Sequence, residues 1–326
     1  MVRNRRQRCV GLTVMAVAVA IAVGVVVAQQ EPIATMYRAD LRRDQRLAAS
    51  FAPIEIPAGA TAPKMNVYLT AGDLERAFDR AEFRPDGAIV PTNTGLVVTA
   101  ASPTTQRVLI ARVMKQPAVM ADLQNQVAAR RRQSPAGTAG DVVLQIGIDS
   151  FVAQLPRGAS ADVKGAFPRH VCLIATDYAT GGAVDRRELF AQDRVRKGIA
   201  GCLAALDAAG AASVVMPLLG AASAQTQSHD PVYEGQRLLQ ECRHLNAVAG
   251  IALGIHDFVP VRRAVREIGI VQWDREISDM FGGSGAAQDA YGVYAEQIKR
   301  AVTKGLAGER TTAADVNGNC AATLGG

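Results

Sequence analysis

Aromatic residues are scarce in this chain of 326 residues: they make up 5%, with a single Trp. Ala, Val and Leu carry most of the apolar share of 49%, a composition suited to strands sandwiched between helices. That share, set against 20% charged residues, excludes a disordered chain. No Gly-x-Ser-x-Gly is present, which argues against a serine-esterase elbow. No Cys-x-x-Cys occurs, and the pairs His170/Cys172 and Cys242/His244 lack the repeated ligand spacing of a zinc site. No internal repeat is apparent. A basic face is missing as well. The net charge is +6, but Arg3, Arg5, Arg6 and Arg8 supply four of it, and residues 31–326 keep about +2. A nucleic-acid binder needs a folded basic surface to neutralise phosphates, so nucleic acid is not an expected partner.

Charge is also missing, entirely, from residues 10–28, nearly all of them Val, Ala, Ile, Leu, Met or Gly. At 1.5 Å per residue such a helix spans about 28 Å, close to the hydrocarbon thickness of a bilayer. The four arginines ahead of it hold the N-terminus in the cytoplasm, because cationic flanks resist translocation. The expectation is a single-pass membrane protein with its domain outside. Val26-Val27-Ala28 is a passable cleavage site, so residues 1–30 read as a signal anchor or as a signal peptide that leaves an exported chain. Cys9 then stays on the cytoplasmic side, and Cys172, Cys202, Cys242 and Cys320 are exported. Their even number admits disulfides in an oxidising compartment. The apolar surroundings of Cys172 and Cys202 favour core thiols instead.

Residues 31–63 mix Pro32, Pro53, Pro57 and Pro63 with charged and small residues, and read as a spacer. From 64 onward short apolar runs alternate with helical periodicity. Strands are predicted over 65–70, 88–91, 142–146, 170–175, 213–218 and 251–255, apolar on both faces and bounded by Gly, Asp or Pro. Helices are predicted over 73–81, over 104–132 with a kink at Pro117, over 188–208 and over 231–249. The last of these starts behind Asp230 at Pro231 and stops at Gly250. A helix over 261–268, a strand over 270–273 and a helix over 288–304 follow, and the last 20 residues read as a frayed tail. This alternation implies a three-layer α/β/α domain with a mixed central sheet over 64–268, with 269–326 as a helical extension.

Three segments carry candidate chemistry. Val67-Tyr68-Leu69-Thr70-Ala71-Gly72-Asp73-Leu74 is a strand, then Gly-Asp, then a helix start. Asp86-Gly87-Ala88-Ile89-Val90-Pro91-Thr92-Asn93 is a strand ending on asparagine. Ala212-Ser213-Val214-Val215-Met216-Pro217-Leu218-Leu219-Gly220-Ala221-Ala222-Ser223 is a strand running into a loop of small residues. In order and spacing they resemble the macro domain family, the ADP-ribose-binding fold, over roughly 64–268. That family has a Gly-Asp-Ile-like turn, an Ala-Ile-Val-Asn-Ala-Ala-Asn-like strand end and a Pro-x-Ile-Gly-x-Gly-like phosphate loop.

The resemblance implies that Asp73, with Leu74 beside it, meets an adenine amine. It implies further that Asn93 stands for the family's functional asparagine and that Gly220, Ala221, Ala222 and Ser223 cradle the phosphates. An ADP-ribose-like nucleotide is the ligand so implied, with no cofactor and no metal. Read without the resemblance, Asp73 is a helix cap. Physical chemistry agrees with a phosphate loop, since a glycine turn leading to a helix offers bare N–H groups and a positive dipole.

The departures bear on activity. The asparagine strand end is one residue shorter than the family's. Gly95-Leu96-Val97-Val98 stands where hydrolytic members carry a Gly-Gly-Gly-Val-Asp run, and Ala222 stands in place of the second glycine. The reading that follows is ligand binding without turnover. A scaffold module on a degenerate macro fold is one alternative, and a hydrolase of ADP-ribose derivatives is another. His229-Asp230 and His256-Asp257 hint at a metal phosphohydrolase but lack the separate flanking ligands, and Arg130-Arg131-Arg132 reads as a solvated helix end.

Overall fold

A computed structural model describes residues 31–42, 46–54, 64–72, 85–93, 143–147, 170–177, 192–218, 234–273, 277, 280–282 and 285–324, with 125, 128 and 129. In chain order the elements are α1 (Pro32–Leu41), β1 (Ala49–Ile54), β2 (Met65–Gly72), β3 (Gly87–Asn93), β4 (Val143–Gly147) and β5 (His170–Asp177). There follow α2 (Gln192–Ala208), β6 (Ser213–Pro217), α3 (Glu234–Phe258), a 3-10 turn (Val259–Val261), β7 (Glu267–Trp273), α4 (Gly285–Leu306), α5 (Ala313–Val316) and α6 (Asn319–Leu324). The strands form one mixed sheet in the order β1-β2-β7-β6-β3-β5-β4. The five inner strands are mutually parallel, and β1 and β4 run antiparallel at the edges. This is the expected α/β sheet. Its inner strands are apolar on both faces because helices cover both.

Helices α2, α3 and α4 lie side by side, with α3 in the middle. Ile199, Cys202, Leu203 and Leu206 of α2 are fully buried, the stripe that the 3.6-residue period predicts. The helix ends at Gly210, whose φ of +86° lets the Ala211 N–H turn back to the Leu206 carbonyl.

Four expectations are corrected. Residues 251–255 are not a strand: they belong to α3, which continues unbroken for 25 residues through Gly250. A side-chain carbon at Gly250 would stand 2.8 Å from the Gln192 carbonyl oxygen, and one at Gly254 would stand 2.6 Å from that of Arg196. These glycines are notches into which α2 packs, not a helix stop. Among the described residues, 240–261 is the one helical stretch apolar and long enough to cross a membrane, and 78% of its most apolar window is buried within the fold. An all-round apolar helix and a helix followed by a buried strand read alike in sequence.

The second correction is at 31–63. Ile33, Ala34, Met36 and Leu47 are buried, and β1 pairs with β2. The Glu267 carboxylate of β7 accepts the N–H groups of Ile33 and Ala34 at 3.4 and 3.3 Å, satisfying the start of α1 from 234 residues away. The compact unit therefore opens at Pro32 rather than 64, and it runs on to Gly326. Within it, β7 is an inner strand between β2 and β6, so 269–326 is not an appendage.

Third, 261–268 is no helix. The Asp207 carboxylate accepts the N–H groups of Arg263, Ala264 and Val265, fixing a turn that delivers the chain to β7.

Fourth, the C-terminal residues do not fray. Thr312 and Asp315 form a capping box on α5, and Cys320 of α6 is bonded to Cys242 of α3. Cys172 of β5 is bonded to Cys202 of α2. Cys172, Cys202, Cys242 and Cys320 thus form two disulfides rather than core thiols, although all four are fully buried.

Candidate functional site

Because β2, β7, β6, β3 and β5 are parallel, their last residues, Gly72, Trp273, Pro217, Asn93 and Asp177, fall on a single edge of the sheet. Ligands of open α/β sheets bind at this carboxyl edge. Asp73 and Leu74 follow Gly72 directly in the chain, and Gly220, Ala221, Ala222 and Ser223 follow β6 by three to six residues. These six residues lie outside the described residues. Asn93 is described as the last residue of β3. The topology therefore brings the three motif-bearing strand ends to one edge, on β2, β6 and β3. Only β7 intervenes between β2 and β6.

The edge is split at one place. β3 and β6 are in register only at Gly87↔Val214 and Ala88↔Val215. Beyond Ala88, β3 continues to Asn93 on β5 alone, while β6 continues to Pro217 on β7 alone. The last backbone bond from this side, Leu218 N–H to Val271 O at 3.0 Å, also goes to β7. The pairing between β3 and β6 thus ends short of their carboxyl ends at Asn93 and Pro217. With strands about 4.8 Å apart, β2 to β3 spans roughly 14 Å along the edge.

Helix α3 joins β6 to the amino end of β7, so its N-terminus and positive dipole end belong to this same edge. Beneath the edge lies a buried polar chain absent from the sequence reading. His244 Nδ1 stands 2.7 Å from the Tyr294 hydroxyl, which donates to Gln272 Oε1 at 3.2 Å. Gln272 is 1% exposed and is the penultimate residue of β7, so this chain locks α3 and α4 to the top of the sheet. Phe281 and Tyr291 pack around Tyr294, with the Arg237 guanidinium 5.9 Å above the Phe281 ring and that of Arg46 4.3 Å above the Tyr291 ring. Arg237 also pairs with Glu241 at 3.3 Å. Burial nonetheless pushes the Glu241 carboxyl above the usual range, with Arg237 and His244 pulling the other way. The sequence carried no signal for this group beyond His244 itself.

The remaining candidates sit elsewhere. Cys242 is a disulfide partner and His244 a hydrogen-bond partner of Tyr294, so this pair does not form a zinc site. Cys172 is likewise bonded to Cys202. Asp257 lies near the opposite edge, held by two bonds from Arg196 at 2.5 and 2.8 Å, which keep its carboxyl below the usual range. Among the described residues no cluster of three or more His, Cys, Asp or Glu is arranged to hold a metal ion. His229, Asp230 and the Arg130-Arg131-Arg132 run lie outside the described residues.

No protein-family model and no curated protein sequence matches this chain. Solved structures similar to it include the Oceanobacillus iheyensis macrodomain with ADP, at 11% identity and a TM-score of 0.44, aligned over 79% of this chain and 98% of that one. The same macrodomain with MES bound aligns at 9% identity and a TM-score of 0.42, over 78% and 98%. A tomato leucine aminopeptidase mutant aligns at 13% identity and a TM-score of 0.34, over 74% of this chain and 37% of that one.

Proposed function

We propose that this domain binds an ADP-ribose-type nucleotide, or a related phosphate ligand, at the carboxyl edge of its sheet and does not turn it over. The observation that carries the reading is the split between β3 and β6. It opens a crevice at the sheet edge on which the three macro-like segments converge. In this reading Asp73 and Leu74 hold the adenine end, Asn93 faces the ribose, and Gly220–Ser223 take the pyrophosphate at the end where the α3 dipole is positive. Turnover is not proposed, because the glycine-rich run of hydrolytic relatives is replaced by Gly95-Leu96-Val97-Val98.

The domain works outside the cytoplasm in this proposal, tethered by residues 10–28 or released near Ala28. Four N-terminal arginines ahead of an uncharged run support that orientation, and two disulfides suit an oxidising compartment. A phosphatase reporter fused after Gly326 should be active only outside the cytoplasmic membrane. Fluorescence from a cytoplasm-specific reporter at that position would refute the topology.

Calorimetry with ADP-ribose tests the ligand. The wild type should bind, and Asp73→Ala should weaken binding about ten- to hundredfold, the worth of one charge-assisted hydrogen bond. Ala222→Gly should leave binding equal or tighter, because it restores bare backbone to the phosphate loop. A second reading, that the fold persists as an envelope scaffold, is favoured by the Ala222 methyl in that loop. It prevails if the wild type shows no heat at millimolar ligand while Ala222→Gly binds. If neither binds, both the ligand and the decayed site are wrong.

A further inference from the structure

The two disulfides sit in unlike places. Cys172 is in an inner strand, flanked in register by Ile89 of β3 and Gln145 of β4. Its partner Cys202 is on the buried stripe of α2, beside Ile199, Leu203 and Leu206, each 0% exposed. Reaching that bond requires α2 to lift from the sheet, which dismantles the core. Cys320, by contrast, is on a six-residue helix near the C-terminus, packed chiefly against α3 and α5. Besides the disulfide, Ala313 belongs to the core cluster and Val316 packs against it, and three polar contacts tie the segment to α2 and α3. Ala313 N–H donates to Asn246 Oδ1 at 2.8 Å, Gln192 Nε2 donates to the Thr311 carbonyl at 2.6 Å, and exposed Arg310 and Asp193 form an ion pair. Among the described residues 309–321, Thr311, Ala313 and Cys320 are buried. Such peripheral segments open locally at a fraction of the global unfolding free energy.

We infer that residues 309–324 are a redox-releasable strap. Its lock is Cys242–Cys320, which is reduced first and without unfolding of the sheet, while Cys172–Cys202 survives until the core opens. The chemistry is thiol–disulfide exchange with a dithiol. One thiolate of the dithiol attacks a sulfur of the bond, which breaks and leaves a mixed disulfide and one protein thiol. The second thiolate then closes a cyclic disulfide and frees the other cysteine. Two electrons and two protons pass to Cys242 and Cys320, and the dithiol is oxidised. Released, the strap uncovers the flank of α3 around Cys242 and Asn246. Cys242 lies eight residues into α3, the helix that follows the proposed phosphate loop. The strap itself does not depend on any ligand being bound there.

The full chain, titrated with dithiothreitol and alkylated with a mass tag at timed intervals, tests this by peptide mapping. Cys242 and Cys320 should acquire label at least tenfold faster than Cys172 and Cys202. Hydrogen exchange at that stage should rise in 313–324 and stay slow in β6. Equal rates for the two bonds, or earlier labelling of Cys172 and Cys202, would overturn the strap. So would loss of protection in β6 together with 313–324. Failure of ADP-ribose to bind would leave these rates untouched, so the strap and the ligand reading are judged separately. The double variant Cys242→Ser/Cys320→Ser supplies the second arm. Its 313–324 segment should exchange fast without any reductant while β6 remains slow, and a β6 that also exchanges fast overturns the proposal.

Discussion

Glu241 is a carboxylate whose burial outweighs its pairing with Arg237. Its native pKa lies above the unfolded value of about 4.3. The folded state therefore holds a proton on it that the unfolded chain releases, and its contribution to stability falls as pH rises from about 4.3 through the raised native value. Asp257 has the opposite sign: Arg196 lowers its native pKa, so its stabilisation is present above the ordinary carboxylate range and is lost as pH falls through the lowered value. Glu241→Gln removes the first slope and keeps the second. The variant should melt progressively higher than the wild type as pH rises from about 4.3 through the raised native value, with no difference between them below that window. A constant difference across the window would mean that Glu241 does not titrate on folding.

At the scale of elements, α3 is the piece on which the architecture turns, and its glycines were the misleading signal. Gly250 looked like a helix stop because glycine usually ends helices. Here Gly250 and Gly254, one turn apart, admit α2, and a side-chain carbon at Gly305 of α4 would stand 2.5 Å from the Ala252 side chain on another flank. Gly254→Ala forces a methyl against the carbonyl of Arg196, a residue already pinned by Asp257, so α2 cannot yield there. Overpacking of this kind costs about 1–3 kcal/mol. Gly292→Ala, in α4 with open space where the methyl would go, should instead gain about 0.5–1 kcal/mol from helix propensity. Urea midpoints of the two variants should move in opposite directions. Equal shifts would mean that the tight α2–α3 crossing is not present in solution.

For the whole molecule, the domain boundary is the consequential correction. A chain beginning at residue 60 lacks α1 and β1. It exposes the sheet face that Ile33 and Met36 cover, strips Glu267 of the N–H groups it accepts, and leaves β2 as an open edge. Such a chain should aggregate or lose its cooperative melt, whereas one beginning at residue 31 should melt cooperatively. A cooperative transition from residue 60 onward, at the same temperature, would show that α1 and β1 contribute nothing.

How much of this was legible follows from how far apart the causes lie. Strands 65–70, 88–91, 170–175 and 213–218 and the apolar stripe of α2 were readable, because their period and their flanking Gly, Asp and Pro are local properties. So were the three motif segments, each a strand end with its own turn chemistry. Where those strand ends meet was not. That depends on strand order, and it takes β7 inserting between β2 and β6 to set Gly72, Pro217 and Asn93 on one edge. The linker reading of 31–63 failed for a related reason: α1 has a weak local signal, and its stabilising acceptor is Glu267, far away in the chain. Cysteine pairing is likewise silent in spacing, since partners 30 and 78 residues apart are selected only when β5 meets α2 and α6 meets α3. The sequence by itself determined the α/β class, most of the inner strands and the residues worth testing, because these rest on hydrophobic period and local backbone chemistry. Only the tertiary structure decided the extent of the domain, the unbroken α3, the disulfides and the split between β3 and β6, because each rests on groups that meet only when distant segments pack.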